Sequence, residues 1–304
     1  MEQTAEEQLA AESDGADLVR PRSISTKSVL KPQGMGGTCS CGSAATSGPP
    51  TYVYALGNIE TRFPRPSVEK EFAQATGRAD TKGKTDREVF HAVLAKPENR
   101  YLARQLCWVF TVQGLETYLL QPRDPSDFTQ LVEAIRPSPT PLDIDIVIGM
   151  RGSIAPPELC NGLMVPIVVF DQLYSFDRTT LIKSIPRPEK IAAKEFSSAA
   201  EELFDRIMQM TDNAGATDEH RALNYLAMRY SAIYAKTTEC YGRDYALTAV
   251  DIHPSPLSGL RKIVDAVFSF THRQTDVTDK FFVRVDVTDE FPYLVSKLSP
   301  YFDR

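Results

Sequence analysis

Leu106-Cys107-Trp108-Val109-Phe110-Thr111-Val112-Gln113-Gly114-Leu115-Glu116-Thr117-Tyr118-Leu119-Leu120 holds two apolar runs separated by Gln113-Gly114. Strand-length runs on either side of a two-residue turn containing glycine make a β-hairpin, so the sheet here is antiparallel. Before the hairpin, Tyr52–Leu56 reads as a strand closed by Gly57-Asn58. Ser67 is placed to cap a short helix with Val68, Phe72 and Ala75 on one face, ended by Gly77. Thr85-Asp86-Arg87-Glu88 has the form of a capping box, with Val89, Val93 and Leu94 inward and Pro97 as the stop. After the hairpin, Asp124-Pro125 opens a helix in which Phe128, Leu131, Val132 and Ile135 share a face.

Leu142, Ile144, Ile146 and Ile148 then alternate with Asp143 and Asp145. This pattern predicts a half-buried strand with its acids on the solvated face. Met164–Phe170 is a further strand, and Arg151–Gly162 between them reads as a Gly- and Pro-rich loop. Ile185-Pro186-Arg187-Pro188 marks a boundary, because two prolines so close cannot sit inside a helix. Beyond it, Phe196–Met210 is amphipathic, and Thr217 caps a longer helix carrying Leu223, Leu226, Ala227, Tyr230, Ile233 and Tyr234. Strands follow at Leu247–Ile252, Ile263–Thr271 and Lys280–Val287, and a final helix is expected from about Asp289, burying Phe291, Val295 and Leu298. Helices grouped before strands indicate the α+β class. The expectation is two small α+β subdomains with mainly antiparallel sheets, at 51–186 and 187–304, preceded by a disordered tail at 1–50. That tail has no aromatic residue before Tyr52 and too few large apolar groups to offset its own ordering entropy.

The chain has 304 residues, 42% hydrophobic and 24% charged, enough for a sizeable core. Its 34 Lys+Arg against 40 Asp+Glu give a net charge of −6, which argues against a partner that is nucleic acid. No apolar stretch is long enough for a membrane span, and the acidic start (Glu2, Glu6, Glu7) fits neither a secretory signal nor a transit peptide. The expected location is the cytoplasm, where five cysteines fit reduced thiols better than a disulfide framework.

Reactive constellations are sparse. There is no Gly-x-Ser-x-Gly elbow, phosphate loop, dinucleotide fingerprint or His-Glu-x-x-His. Cys39-x-Cys41 is half of a zinc site or a pair of exposed thiols; Cys160 and His253 are the candidate distant ligands. Cys160, on the Gly/Pro loop, is a nucleophile if a histidine adjoins it, and otherwise a buried thiol; Cys107 beside Trp108 reads as core. Asp143 and Asp145 are either an acid–base pair or a solvated strand face. His220, in the first turn of its helix, is expected to be exposed. Arg100, Arg104 and Arg123 are candidates to bind a carboxylate or peptide terminus, or else to pair internally.

Longer segments carry a resemblance. Val68–Gly77, Asn99–Trp108, Leu120–Pro125, Cys160-Asn161-Gly162-Leu163-Met164-Val165-Pro166 and Asp212–Tyr225 together resemble the C-terminal region of the cyanobactin maturation protease (PatG) family, over about residues 51–304. That region is a two-part domain of unknown function. In that family a subtilisin-like domain upstream of this region cuts and macrocyclises the peptide, and none of its protease residues carries over: no histidine here is followed by glycine, and Gly-Thr-Ser is absent. The resemblance implies an accessory of ribosomal peptide maturation that binds a precursor peptide or a partner enzyme. Peptide would add to a strand edge or enter a groove near the Arg151–Gly162 loop, with Arg100, Arg104, Arg123, Cys160 and Asn161 as contacts. The alternatives are a cysteine- or zinc-dependent enzyme acting on a peptide, and a structural zinc protein forming a homodimer.

Overall fold

The computed structural model describes residues 51–77, 83–137, 143–185, 192–210 and 212–302. The expected tail at 1–50, including Cys39 and Cys41, and the boundary prolines Pro186 and Pro188 lie outside the described residues. The described residues belong to one compact unit, Gly48–Arg304.

The first half contains β1 (Thr51–Arg62), α1 (Pro66–Thr76), α2 (Asp86–Leu94), α3 (Arg100–Ala103), β2 (Cys107–Val112), β3 (Leu115–Pro122), α4 (Phe128–Ala134), β4 (Ile144–Ile154) and β5 (Pro166–Phe176). The hairpin forms as expected, with Gln113 at φ 51 and Gly114 at φ 79, the left-handed pair that a tight two-residue turn requires. The capping box is also present: Thr85 accepts from Glu88 N–H while the Glu88 carboxylate accepts from Thr85 N–H. Ser67 is not the cap of α1. The helix begins two residues earlier, at Pro66 after Arg65, because proline's missing N–H costs nothing there.

The five strands close into a barrel in the order β1-β2-β3-β5-β4. Only β3 and β5 run parallel; β1 pairs with β4 through Thr51–Gly57 and with β2 through Asn58–Arg62. This order, with α4 between β3 and β4, is that of an OB-type barrel. Closure removes the free strand edge on which peptide addition to this half would depend.

Closure also overturns the expected solvated face of β4. Val53, Ala55, Ile59 and Val147 point into the barrel core, whereas Tyr54, Leu56, Ile144, Ile146 and Ile148 join a second core outside it. Asp145 is therefore buried, not solvated. Its carboxylate accepts from Ile59 N–H at 2.8 Å and from the Ser175 hydroxyl at 2.5 Å, tying down β1 where it changes partner. Burial pushes its pKa up to about 6 despite those bonds.

The second half contains α5 (Arg178–Ser184), α6 (Ala193–Met208), α7 (Asp218–Arg229), α8 (Ala232–Tyr241), β6 (Tyr245–Pro254), β7 (Ile263–His272), β8 (Thr278–Asp286), β9 (Tyr293–Leu294) and β10 (Ser299–Pro300). The helix capped by Thr217 is two helices, broken where Tyr230 leaves helical geometry at φ −121, ψ 87. The second sheet has the order β10-β8-β7-β6, with β9 also on β8. The final helix does not form. Val295 N–H donates to Arg284 C=O and Tyr301 N–H to Lys280 C=O, so the segment satisfies its backbone along β8.

The outer core joins both halves: Tyr54 and Ile146 of the barrel, Leu203, Leu223 and Tyr234 of the helices, and Phe268 and Val285 of the second sheet share it. Each fully buried side chain of this size contributes roughly 1.5–3 kcal/mol. The class is α+β, as the sequence indicates. No helix among the described residues is long and apolar enough to cross a membrane.

Candidate functional site

A cavity of about 1420 Å³ forms a cleft between α6, α8 and the C-terminal segment. The amphipathic α6 turns Phe196, Ala200, Leu203 and Ile207 to the core, which leaves Lys194, Glu195 and Ser198 on the cleft side. From α8 come Ala232, Ala235, Lys236 and Glu239; Arg243, Lys297 and Leu298 complete the walls. Lys236 and Glu239 pair at 2.6 Å, and Arg243 reaches Glu239 at 3.9 Å. Tyr230 closes one side, its hydroxyl accepting from Leu298 N–H at 2.9 Å. Burial, with the Glu202 carboxylate nearby, holds the Tyr241 phenol far above its ordinary pKa. The cleft thus combines an apolar lining with four cations and two carboxylates.

A charged seam lies apart from the cleft. Asp171 is the extra residue of a β-bulge in β5, unpaired between Phe170 and Gln172 in the register with β4. A bulge re-aims its side chain. Arg123 Nε meets one Asp171 oxygen at 2.7 Å. The Asp171 and Glu290 carboxyls are hydrogen-bond neighbours, and each has a buried oxygen that meets no donor. Burial first, and then the Asp171 carboxylate, raise the Glu290 pKa; Arg123 and Arg221 act against the shift. Arg221, 2% exposed, donates to Val287 C=O at 2.7 Å and to the carbonyls of Asp289 and Glu290. Its guanidinium lies 5.3 Å from the centre of the Tyr52 ring.

Residues 190–301 match the PatG C-terminal family profile. This chain carries a PatG C-terminal-like region. A solved structure described as "PatG Domain of Unknown Function" has the same fold, with a TM-score of 0.65 at 19% identity. The alignment covers 83% of this chain and 98% of that one. No curated protein matches the chain.

The PatG C-terminal-like region supplies every residue of the cleft, whereas the residues singled out from sequence lie mostly in the barrel half. Arg100, Arg104 and Arg123 do not converge on one pocket. Arg104 lines a cavity of about 310 Å³ with Gln105, Cys107, Pro122 and Leu159; Arg123 is held by Asp171; Arg100 is exposed on α3. Asn161 is exposed at φ 46 in the β4–β5 loop.

Cys160 departs from the expectation. It is fully buried and disulfide-bonded to Cys107, with Cα atoms 5.9 Å apart, so in this state it is neither a peptide contact nor a zinc ligand. The pairing also replaces the expectation of reduced thiols for these two residues. Sequence spacing gave no signal for it, because 53 residues separate them and barrel closure brings them together.

His253 lies on β6 opposite Asp265, whose carboxylate accepts from Arg284 at 3.1 Å. Among the described residues no group of three or more His, Cys, Asp or Glu side chains could hold a metal ion. His220 is half-buried rather than exposed; its Nδ1 is a buried atom without a partner, and burial lowers its pKa. Sequence reading missed the seam, since Asp171, Arg221 and Glu290 lie far apart in the chain.

Proposed function

We propose that this chain is a non-catalytic recognition module of ribosomal peptide maturation, of the cyanobactin-like kind. It holds a segment of precursor peptide, or of a partner maturation enzyme, in the cleft between α6 and α8. The observation that carries this reading is the cleft itself. At about 1420 Å³ it exceeds the roughly 300–1,000 Å³ of small-molecule pockets. Lys194, Lys236, Arg243 and Lys297 outnumber Glu195 and Glu239 around an apolar lining. That combination suits a chain segment bearing acids on one side and apolar groups on the other, docked between helices. The likeness to a PatG domain supports reading the chain in that biosynthetic context.

The cysteines favour binding over thiol catalysis. The free cysteine among the described residues, Cys240, is buried, and burial raises its pKa, which disfavours the thiolate.

The test is a fluorescence-anisotropy titration with a labelled precursor peptide and, separately, with the partner enzyme. Saturable binding is expected. Reversing two exposed cleft cations, Lys194→Glu with Lys297→Glu, should weaken it at least tenfold. The recovered peptide should have unchanged mass. Absence of binding to both probes, indifference to the double reversal, or altered peptide would each overturn the reading.

A further inference from the structure

We propose that the β4–β5 loop, residues 155–165, is a redox-operated lid over the β2–β3 face of the barrel, held down by the Cys107–Cys160 bond and freed by a dithiol reductant. In OB-type barrels the β2–β3 surface, flanked by the loops after β1 and β4, is the face left open to ligands. Here the loop after β4 lies across it. Cys107 and Val109 of β2 and Leu119 of β3 form a small separate core with Ala155 and Cys160 of the loop. Leu163, Val165 and Ile167 pack against that core only partly buried.

Three observations distinguish a lid from a structural staple. The first is that the loop is self-contained. Ala155 N–H donates to Val165 C=O, Gly162 N–H to Pro157 C=O and Leu163 N–H to Cys160 C=O, so the loop can lift without losing its own shape. The second is the weakness of its non-covalent hold. The loop residues fully buried beneath it are an alanine and the bonded cysteine, while Ile154 and Met164 face solvent at 60% and 62% exposure. The third is position. Cys107 and Leu159 line the cavity of about 310 Å³ beside Arg104, so the bonded pair lies at the wall of a cavity and not in the barrel core.

The exchange balances simply. One thiolate of the dithiol attacks Cys107 Sγ, and Cys160 leaves as thiolate and takes a proton. The second thiol then displaces Cys107, which is protonated in turn, and the dithiol departs as its own disulfide. Lifting the loop would uncover apolar surface at Val109, Leu119 and Ile167, with Arg104 at its edge.

Hydrogen exchange of the full chain before and after treatment with dithiothreitol tests this, with the redox state read by alkylation and intact mass. The expected result is a protected loop in the oxidised protein. Reduction should give at least tenfold faster exchange confined to residues 155–165 and the adjoining β2 and β3 amides, with increased fluorescence of a bound apolar dye. Cys107→Ser with Cys160→Ser should show the fast exchange without reductant. Should that variant not fold, the wild-type comparison alone decides. Unchanged loop exchange in fully reduced protein would overturn the proposal, as would failure of the two cysteines to pair under oxidising conditions.

Discussion

Asp171 and Glu290 set carboxyl against carboxyl across the seam between β5 and the C-terminal segment, each with a buried oxygen that meets no donor. One shared proton satisfies both oxygens, whereas two charges there repel in a partly desolvated site. Arg123 and Arg221 flank the pair, which disfavours a bound cation and leaves the proton as the neutralising partner.

The pair makes stability pH-dependent. Burial and the Asp171 carboxylate raise Glu290 from 4.5 to about 7 in the folded chain. The folded state therefore holds a proton that the unfolded chain releases at lower pH, and stability falls as pH rises across that interval. The amide of Glu290→Gln can donate to Asp171 at any pH. This variant should raise the thermal midpoint at pH 8 by about 2–4 °C, the shift that 1 kcal/mol gives in a domain of this size. It should flatten the midpoint-against-pH curve between pH 5 and about 7. A curve parallel to that of the wild type would refute the shared proton.

Asp145 acts in the same direction over a lower range. Burial raises it from 3.8 to about 6, so its charged form costs stability as pH climbs through that window. Asp145→Asn should remove this part of the dependence while keeping an acceptor for Ile59 N–H. Asp145→Ala leaves that buried N–H and the Ser175 hydroxyl without their partner, and should cost about 2–3 kcal/mol in a urea titration. A loss under about 1 kcal/mol would mean that β1 is not held at this corner.

Arg221 tests the other side of the seam. Its guanidinium collects carbonyls of Val287, Asp289 and Glu290 into one buried site beneath Tyr52. Arg221→Ala strands those acceptors and should destabilise by about 3 kcal/mol. Faster hydrogen exchange should appear first at 287–295. Uniform loosening of the whole chain would argue that Arg221 stabilises the fold generally and does not anchor that segment.

Most of what is legible in the sequence depends on neighbours along the chain, although the Ser67 cap, also local, does not form. The Gln113-Gly114 turn, the Thr85–Glu88 box and the Thr217 cap all act within a few residues, and all are present. The burial of Asp145 is not legible in the sequence, because alternation says that a strand has two faces but not that both are covered; a closed barrel beneath helices covers both. In the last segment Phe291, Val295 and Leu298 have helical spacing, which by itself points to a helix. Its backbone instead finds β8, a partner chosen by tertiary structure. For the same reason the cleft and the seam were hidden, while Arg123 stood out only as one charge among several.

Tyr54 couples the two halves through its backbone, and it gives a stringent test of the fold. Tyr54 N–H donates to Gly215 C=O at 2.9 Å, and Tyr54 C=O accepts from the Asn224 amide at 2.8 Å. Asn224, fully buried, also accepts from Asn213 at 2.7 Å, so one side chain links β1, α7 and the loop before it. Gly215 has φ +72, and a Cβ there would stand 2.3 Å from Tyr54 C=O, where neither backbone can yield. Gly215→Ala should therefore unfold the junction at a cost above about 3 kcal/mol, more than strain or a lost hydrogen bond alone. Asn224→Ala, which empties the site without a clash, should cost about 2 kcal/mol. Combined with Tyr118→Phe, which removes the hydroxyl donating to Ala214 C=O at 2.8 Å, it should cost more or less than the sum, because both bonds hold the same loop. Strict additivity in the double-mutant cycle would show that the loop before α7 is held by independent contacts and not as one junction.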